Sequence, residues 1–88
     1  MTEYEILTSA IEKYGEKAQE EVAIEELSEL IQAICHKHRG REHNIAEEIA
    51  DVEIMLEQLK MINDCFSEVR GKRLAKIIRL KERILNDG

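Results

Sequence analysis

Apolar residues recur every three or four positions along most of this chain. The pattern breaks in three places: Tyr14-Gly15, Arg39-Gly40-Arg41 and Asn63-Asp64. That spacing is the period of an α-helix with one apolar side, not of a strand. Nothing in the composition opposes it. There is no proline, glycine occurs only four times, and Leu, Ile, Glu, Lys and Ala are abundant, which is the make-up of an all-helical protein.

The three breaks define four helices. The first is expected from about Glu3 to Tyr14, with Ile6, Leu7, Ala10 and Ile11 as its apolar stripe and Gly15 as its stop. Thr2-x-x-Glu5 at its start is a capping box, in which each side chain bonds the other's free backbone N–H. The second runs from about Glu16 to His38 on a stripe of Ala23, Leu27, Leu30, Ile31 and Ile34. Gly40 takes the favoured place after its last turn. Asn44-x-x-Glu47 is a second capping signal and opens a third helix at about Ile45. Its buried face is expected to carry Ile45, Ile49, Val52, Leu56, Leu59 and Ile62. The fourth helix occupies most of residues 67–85, with Phe66, Arg70, Leu74, Ile77, Ile78, Ile84 and Leu85 along its buried side. Gly71 weakens it by about 1 kcal/mol relative to alanine. Short loops between helices predict one domain over residues 1–88, an antiparallel four-helix bundle. Apolar stripes this broad exceed what so small a bundle covers, so self-association as a homodimer or a dimer of dimers is expected.

Charge and aromatics exclude several functions. A net charge of −6 argues against a nucleic-acid binder, which needs a basic surface to neutralise phosphates. Tyr4, Tyr14 and Phe66 are the only aromatics, too few for a platform that stacks several bases. No apolar run approaches a membrane span, and the N-terminus has no secretory pattern. Cys35 and Cys65 sit in apolar helical stretches without a Cys-x-x-Cys motif and read as buried reduced thiols. A cytoplasmic protein is expected.

Among nineteen acidic residues, one acid follows another at i+3 in only two places: Glu26-x-x-Glu29 and Glu48-x-x-Asp51. That spacing puts both carboxylates of a pair on one side of a helix. If the second and third helices pack together, four carboxylates converge. They repel one another unless a hard cation sits among them, and Mg²⁺ takes oxygen ligands and commonly arrives with substrate phosphates. Helical geometry puts Glu26 and Glu29 on one flank of the second helix's apolar stripe. Glu48 falls inside the apolar arc of the third, with Asp51 at its edge, whereas Glu53 and Glu57 lie opposite. Acids turned towards a core are costly unless paired or metal-bound. With 36% of the chain charged, spacing alone is equally compatible with solvated faces or interhelical ion pairs; the inward placement of Glu48 favours the metal.

The segments Glu25-Glu26-Leu27-Ser28-Glu29-Leu30 and Glu47-Glu48-Ile49-Ala50-Asp51-Val52 resemble the MazG-like nucleotide pyrophosphohydrolases of the all-α NTP pyrophosphatase superfamily. That family's signature is E-x-x-E, a variable gap, then E-x-x-D; here the gap holds eighteen residues. The likeness covers residues 15–59 and is nearest to small phage- and prophage-type members. It implies an all-α bundle of that type completed by oligomerisation. It further implies Mg²⁺-dependent hydrolysis, with Mn²⁺ able to substitute, of a nucleoside triphosphate to its monophosphate and pyrophosphate. Glu26, Glu29, Glu48 and Asp51 would be the metal ligands and catalytic acids. The family also uses basic residues of its last helix near the phosphates, which points to Lys76 and Arg79. Phosphoribosyl-ATP pyrophosphohydrolases share the fold and the acids, but the Asp51-Val52-Glu53-Ile54 continuation disfavours them. A non-catalytic helical interaction module that keeps the acids is the alternative from another class.

Other residues have two readings. Gln19 precedes Glu26 on the same flank and is within range of a substrate or ligand. Tyr14 is a structural tyrosine or a base contact. Lys72, Lys76, Arg79 and Arg83 share one face of the fourth helix, which by itself describes a solvated basic surface. His36, His38 and His43 cluster around the loop after the second helix without a zinc motif. Arg39 and Arg41 either steer an anion or complement the helix C-terminus.

Overall fold

The computed structural model describes residues 1–87. It contains four α-helices and, among those residues, no strand: α1 (Glu3–Tyr14), α2 (Glu16–His38), α3 (Ile45–Ile62) and α4 (Phe66–Asn86). The boundaries follow from local chemistry. Thr2 Oγ1 accepts from the Glu5 N–H at 3.1 Å, and the Thr2 N–H donates to Glu5 Oε1 at 3.3 Å, completing the capping box. Gly15 both ends α1 and begins α2 with φ at 95°, a conformation open to glycine because it has no Cβ.

The α2 terminus closes with two reverse hydrogen bonds, Gly40 N–H to Lys37 O at 3.1 Å and Arg41 N–H to His36 O at 2.9 Å, with Gly40 at φ 70°. This is the Schellman arrangement. The same arrangement ends α3, where Asp64 N–H reaches Met61 O and Cys65 N–H reaches Lys60 O. There the left-handed position is filled by Asp64, at φ 47°.

The core lies where α2 and α3 pair, with α1 laid against both. Leu7, Ala23, Ala33, Val52 and Met55 are its buried apolar residues. Ala23 and Ala33 are the two buried positions of α2; side chains this small let two helices approach closely. Gln58 is also buried and donates from Nε2 to Leu7 O at 3.4 Å, tying α3 to α1.

The inward side of α2 differs from the expected stripe. Ala23 and Leu30 turn inward, but Leu27, Ile31 and Ile34 are exposed. The helix is rotated towards its carboxylate flank, so Val22, Glu26 and Ala33 face α3. In α3, Val52 is buried and Leu59 and Ile62 are half-buried, whereas Ile49 and Leu56 are exposed.

The larger departure is α4. It contacts only α3 and has no buried residue. Of its expected buried side, Phe66 is half-buried and Arg70, Leu74, Ile77, Ile78, Ile84 and Leu85 are exposed. The radius of gyration is 16.3 Å, against about 12 Å for a compact chain of this length. The thiols also differ from expectation: both are free, but Cys35 is exposed and Cys65 half-buried, because Cys35 lies on the opposite side of α2 from buried Ala33. No helix among the described residues is long and apolar enough to cross a membrane.

Candidate metal centre

The α2–α3 pairing brings the two acidic pairs together. The carboxyl of Glu26 lies against Asp51 and that of Glu48 against Glu29. This reversed order is the one antiparallel helices give. One oxygen each from Glu26, Glu29 and Glu48 lie within 4.8 Å of one another. Asp51 stands beside this trio, next to Glu26.

The four acids form a gradient from interior to surface. Glu48 is buried, with 8% of its surface exposed. Glu26 and Asp51 are half-buried, and Glu29 is exposed. The site therefore has a floor at Glu48 and an open lip at Glu29. Glu26 Oε2 and Glu48 Oε2 are both buried and accept no hydrogen bond from the described residues. Buried carboxylate oxygens without a donor are costly.

Burial raises the Glu48 pKa above the ordinary 4.5, and the neighbouring charges of Glu29 and Asp51 add to it. Burial is likewise the largest cause of the raised Glu26 pKa, followed by the charges of Glu29 and Asp51. Only one protein donor opposes this at Glu48: Asn44 Nδ2 donates to Oε1 at 3.2 Å and favours the ionised form.

Asn44 is the site neighbour that sequence reasoning missed. Its spacing to Glu47 suggested a cap, but its side chain makes no capping bond to the backbone. It donates instead to Glu47 Oε2 and Glu48 Oε1. The i+4 distance from Asn44 to Glu48 was the available signal. His43 takes part of the capping work, its Nδ1 accepting from the Ile45 N–H at 3.4 Å.

The remaining candidates are not gathered with the acids. Gln19 is half-buried on the same side of α2 as Glu26, seven residues earlier and so about 10 Å away along the axis. Lys76 and Arg79 are exposed on α4, which reaches only α3, and neither enters an ion pair among the described residues. Tyr14 is exposed, with Lys13 Nζ 5.4 Å from its ring centroid.

The donor set is all oxygen, partly buried and internally repulsive, with two unpartnered atoms. This fits a hard divalent cation and gives no reason for a soft one. No protein-family model, no curated protein and no solved structure matches this chain.

Proposed function

We propose that this chain is a Mg²⁺-dependent nucleoside triphosphate pyrophosphohydrolase of the MazG-like kind, acting on a ribo- or deoxynucleoside triphosphate and working as a homo-oligomer. The observation that carries this reading is the group of Glu26, Glu29 and Glu48 oxygens within 4.8 Å of one another, two of these residues having a buried oxygen without a partner. Glu26, Glu29, Glu48 and Asp51 hold the cation, and Mn²⁺ substitutes for Mg²⁺. A divalent cation in such a site supplies neutralisation of phosphate charge and a lowered pKa for bound water.

The chain's own residues have distinct tasks. Asn44 holds one oxygen of Glu48 and so orients that carboxylate. The exposed lip at Glu29 leaves room for a triphosphate. In the reaction, the water oxygen bonds to the α-phosphorus and the bridging oxygen leaves with pyrophosphate. The water proton passes to one of the three glutamates, Glu26, Glu29 or Glu48. Gln19 is assigned to substrate on the strength of its position on the α2 flank. Lys76 and Arg79 are the weaker phosphate assignments, because α4 does not approach the acids of its own chain.

The test is chromatography of products from a panel of NTPs and dNTPs with Mg²⁺ or with chelator. Monophosphate and pyrophosphate should appear only with the metal. Diphosphate nucleotide and orthophosphate as first products would sink the mechanism. No turnover on any member of the panel would favour the non-catalytic interaction module.

A further inference from the structure

Two apolar surfaces are left uncovered by this chain, and their charges are opposite. The first is on the α2–α3 hairpin. Around α2, Leu27, Ile31 and Ile34 lie on the other side of the core-facing line from Glu29. Around α3, Ile49 and Leu56 lie on the other side of it from Asp51. Because Glu29 and Asp51 belong to one acidic site, these five exposed residues share the opposite face of the hairpin. Glu20 lies within that face and Glu53 at its edge. The second surface is the apolar arc of α4, centred on Ile77 and flanked by Leu74 and Leu80, all exposed.

The charge is divided the same way. Residues 66–86 carry seven Lys and Arg against two Glu, a net charge of +5. Residues 1–65 carry six Lys and Arg against sixteen acids, a net charge of −10. Arg70, Arg73 and Lys81 sit within the α4 apolar arc, whereas the hairpin face carries Glu16, Glu20 and Glu53 against Lys60.

The direction of α4 is set by the α3 terminus. Asp64 N–H to Met61 O at 3.2 Å and Cys65 N–H to Lys60 O at 3.1 Å close that turn and send α4 away from its own hairpin.

We infer that α4 is an exchanged arm, which packs its apolar arc on the outward face of α2 and α3 in a second copy of this chain while that copy's α4 packs in return. This rests on the self-association included in the proposed function, but not on its chemistry. The exchange gives each hairpin a fourth helix, sets the basic arc of α4 on a face that carries Glu20 and Glu53, and covers both exposed surfaces with one contact. An anionic membrane surface fits α4 less well, because the hairpin that travels with it would be repelled. The arm lies on the face opposite the acids, so it closes the bundle without entering the metal site.

The test needs neither nucleotide nor metal. Cys35→Ser and Cys65→Ser are combined with Ile31→Cys in a chain carrying a large tag, and with Ile77→Cys in an untagged chain. The two are mixed and oxidised. The mixed-size disulfide should exceed either same-size product several-fold. Untouched protein should scatter light at twice the 10.2 kDa chain mass, which holds the inference to account even if the variants fold poorly. A 10.2 kDa particle overturns the inference together with the self-association. A dimer joined mainly through Ile31→Cys pairs, or one giving no mixed product, overturns the exchange alone. An intramolecular disulfide in a chain carrying both substitutions, or loss of the dimer to anionic vesicles, also overturns it.

Discussion

The α2–α3 hairpin and α4 are both long amphipathic helical elements, yet the chain treats them differently. The hairpin buries Ala23, Ala33, Val52 and Met55, together with a carboxylate; α4 buries nothing. The hairpin is acidic and α4 is basic. An apolar stripe thus predicts that a helix will be covered, but not by what. In the hairpin, five of the eleven apolar residues expected inside are exposed, because the acid-bearing flank takes their place. A fold that only maximised burial would turn Leu27, Ile31 and Ile34 inward. Facing Glu26 and Glu48 towards each other is a structural cost that the proposed cation would offset.

The widest separation between the two regions should appear in turnover. Glu26→Gln, Glu29→Gln, Glu48→Gln and Asp51→Asn should each reduce pyrophosphate release by about 100-fold or more, since each disturbs one shared array. Lys76→Ala and Arg79→Ala should change it by less than about 10-fold. The same assay with each purified variant measures both. In parallel, Mg²⁺ should raise the thermal midpoint of the parent by mass action and leave that of Glu48→Gln unchanged. An equal Mg²⁺ response in the substituted protein would move the site elsewhere.

Stability should divide the regions next. Met55→Ala removes a buried side chain from the hairpin and should cost about 2–5 kcal/mol in urea unfolding. Ile84→Ala, at an exposed position near the end of α4, should cost no more than about 0.5 kcal/mol at concentrations where the chain is monomeric. If the Ile84→Ala cost rises with protein concentration, α4 is being covered by another copy.

Acidity sharpens the contrast from another side. The pKa values of Glu26 and Glu48 are raised above 4.5 in the folded chain. Above that pH the unfolded chain has released protons that the folded chain still holds. Metal-free stability is therefore fullest below 4.5 and falls as pH rises through the folded values. A thermal-melt series from pH 4.5 to 7 should fall without metal and flatten with Mg²⁺. No α4 substitution should alter that slope, whereas Glu48→Gln should reduce it.

The parts of this molecule legible in sequence were those governed by neighbours along the chain. Thr2 with Glu5, Gly15 and Gly40 fixed helix ends, because capping and left-handed turns depend on a few adjacent residues. The approach of Glu26 and Glu29 to Glu48 was legible too, since i+3 spacing and one helix pairing suffice. Rotation of α2 about its axis was not, because Leu27 and Ala33 are both apolar and only the packing partner chooses between them. The α4 placement was illegible for the same reason: its stripe states a need for cover that this single chain does not meet. Asn44 was misread because a side-chain amide serves a backbone or a carboxylate equally well.

A small effect of either sign is expected at the junction between the two regions. Asp64 occupies the left-handed position that ends α3, at φ 47°, where its Cβ is crowded against the backbone. Gly40 fills the equivalent position at the end of α2 without that crowding. Asp64→Gly should relieve the strain but loosen the unfolded chain, leaving a net gain of up to about 1 kcal/mol. Gly40→Ala should lose a similar amount, because a Cβ is then forced into the left-handed region. Urea midpoints at unchanged slope would report both. Opposite signs would show that the two helix ends are one motif built with different residues. A loss at Asp64→Gly would mean that the aspartate side chain itself holds the α3–α4 turn, and with it the direction in which α4 leaves the hairpin.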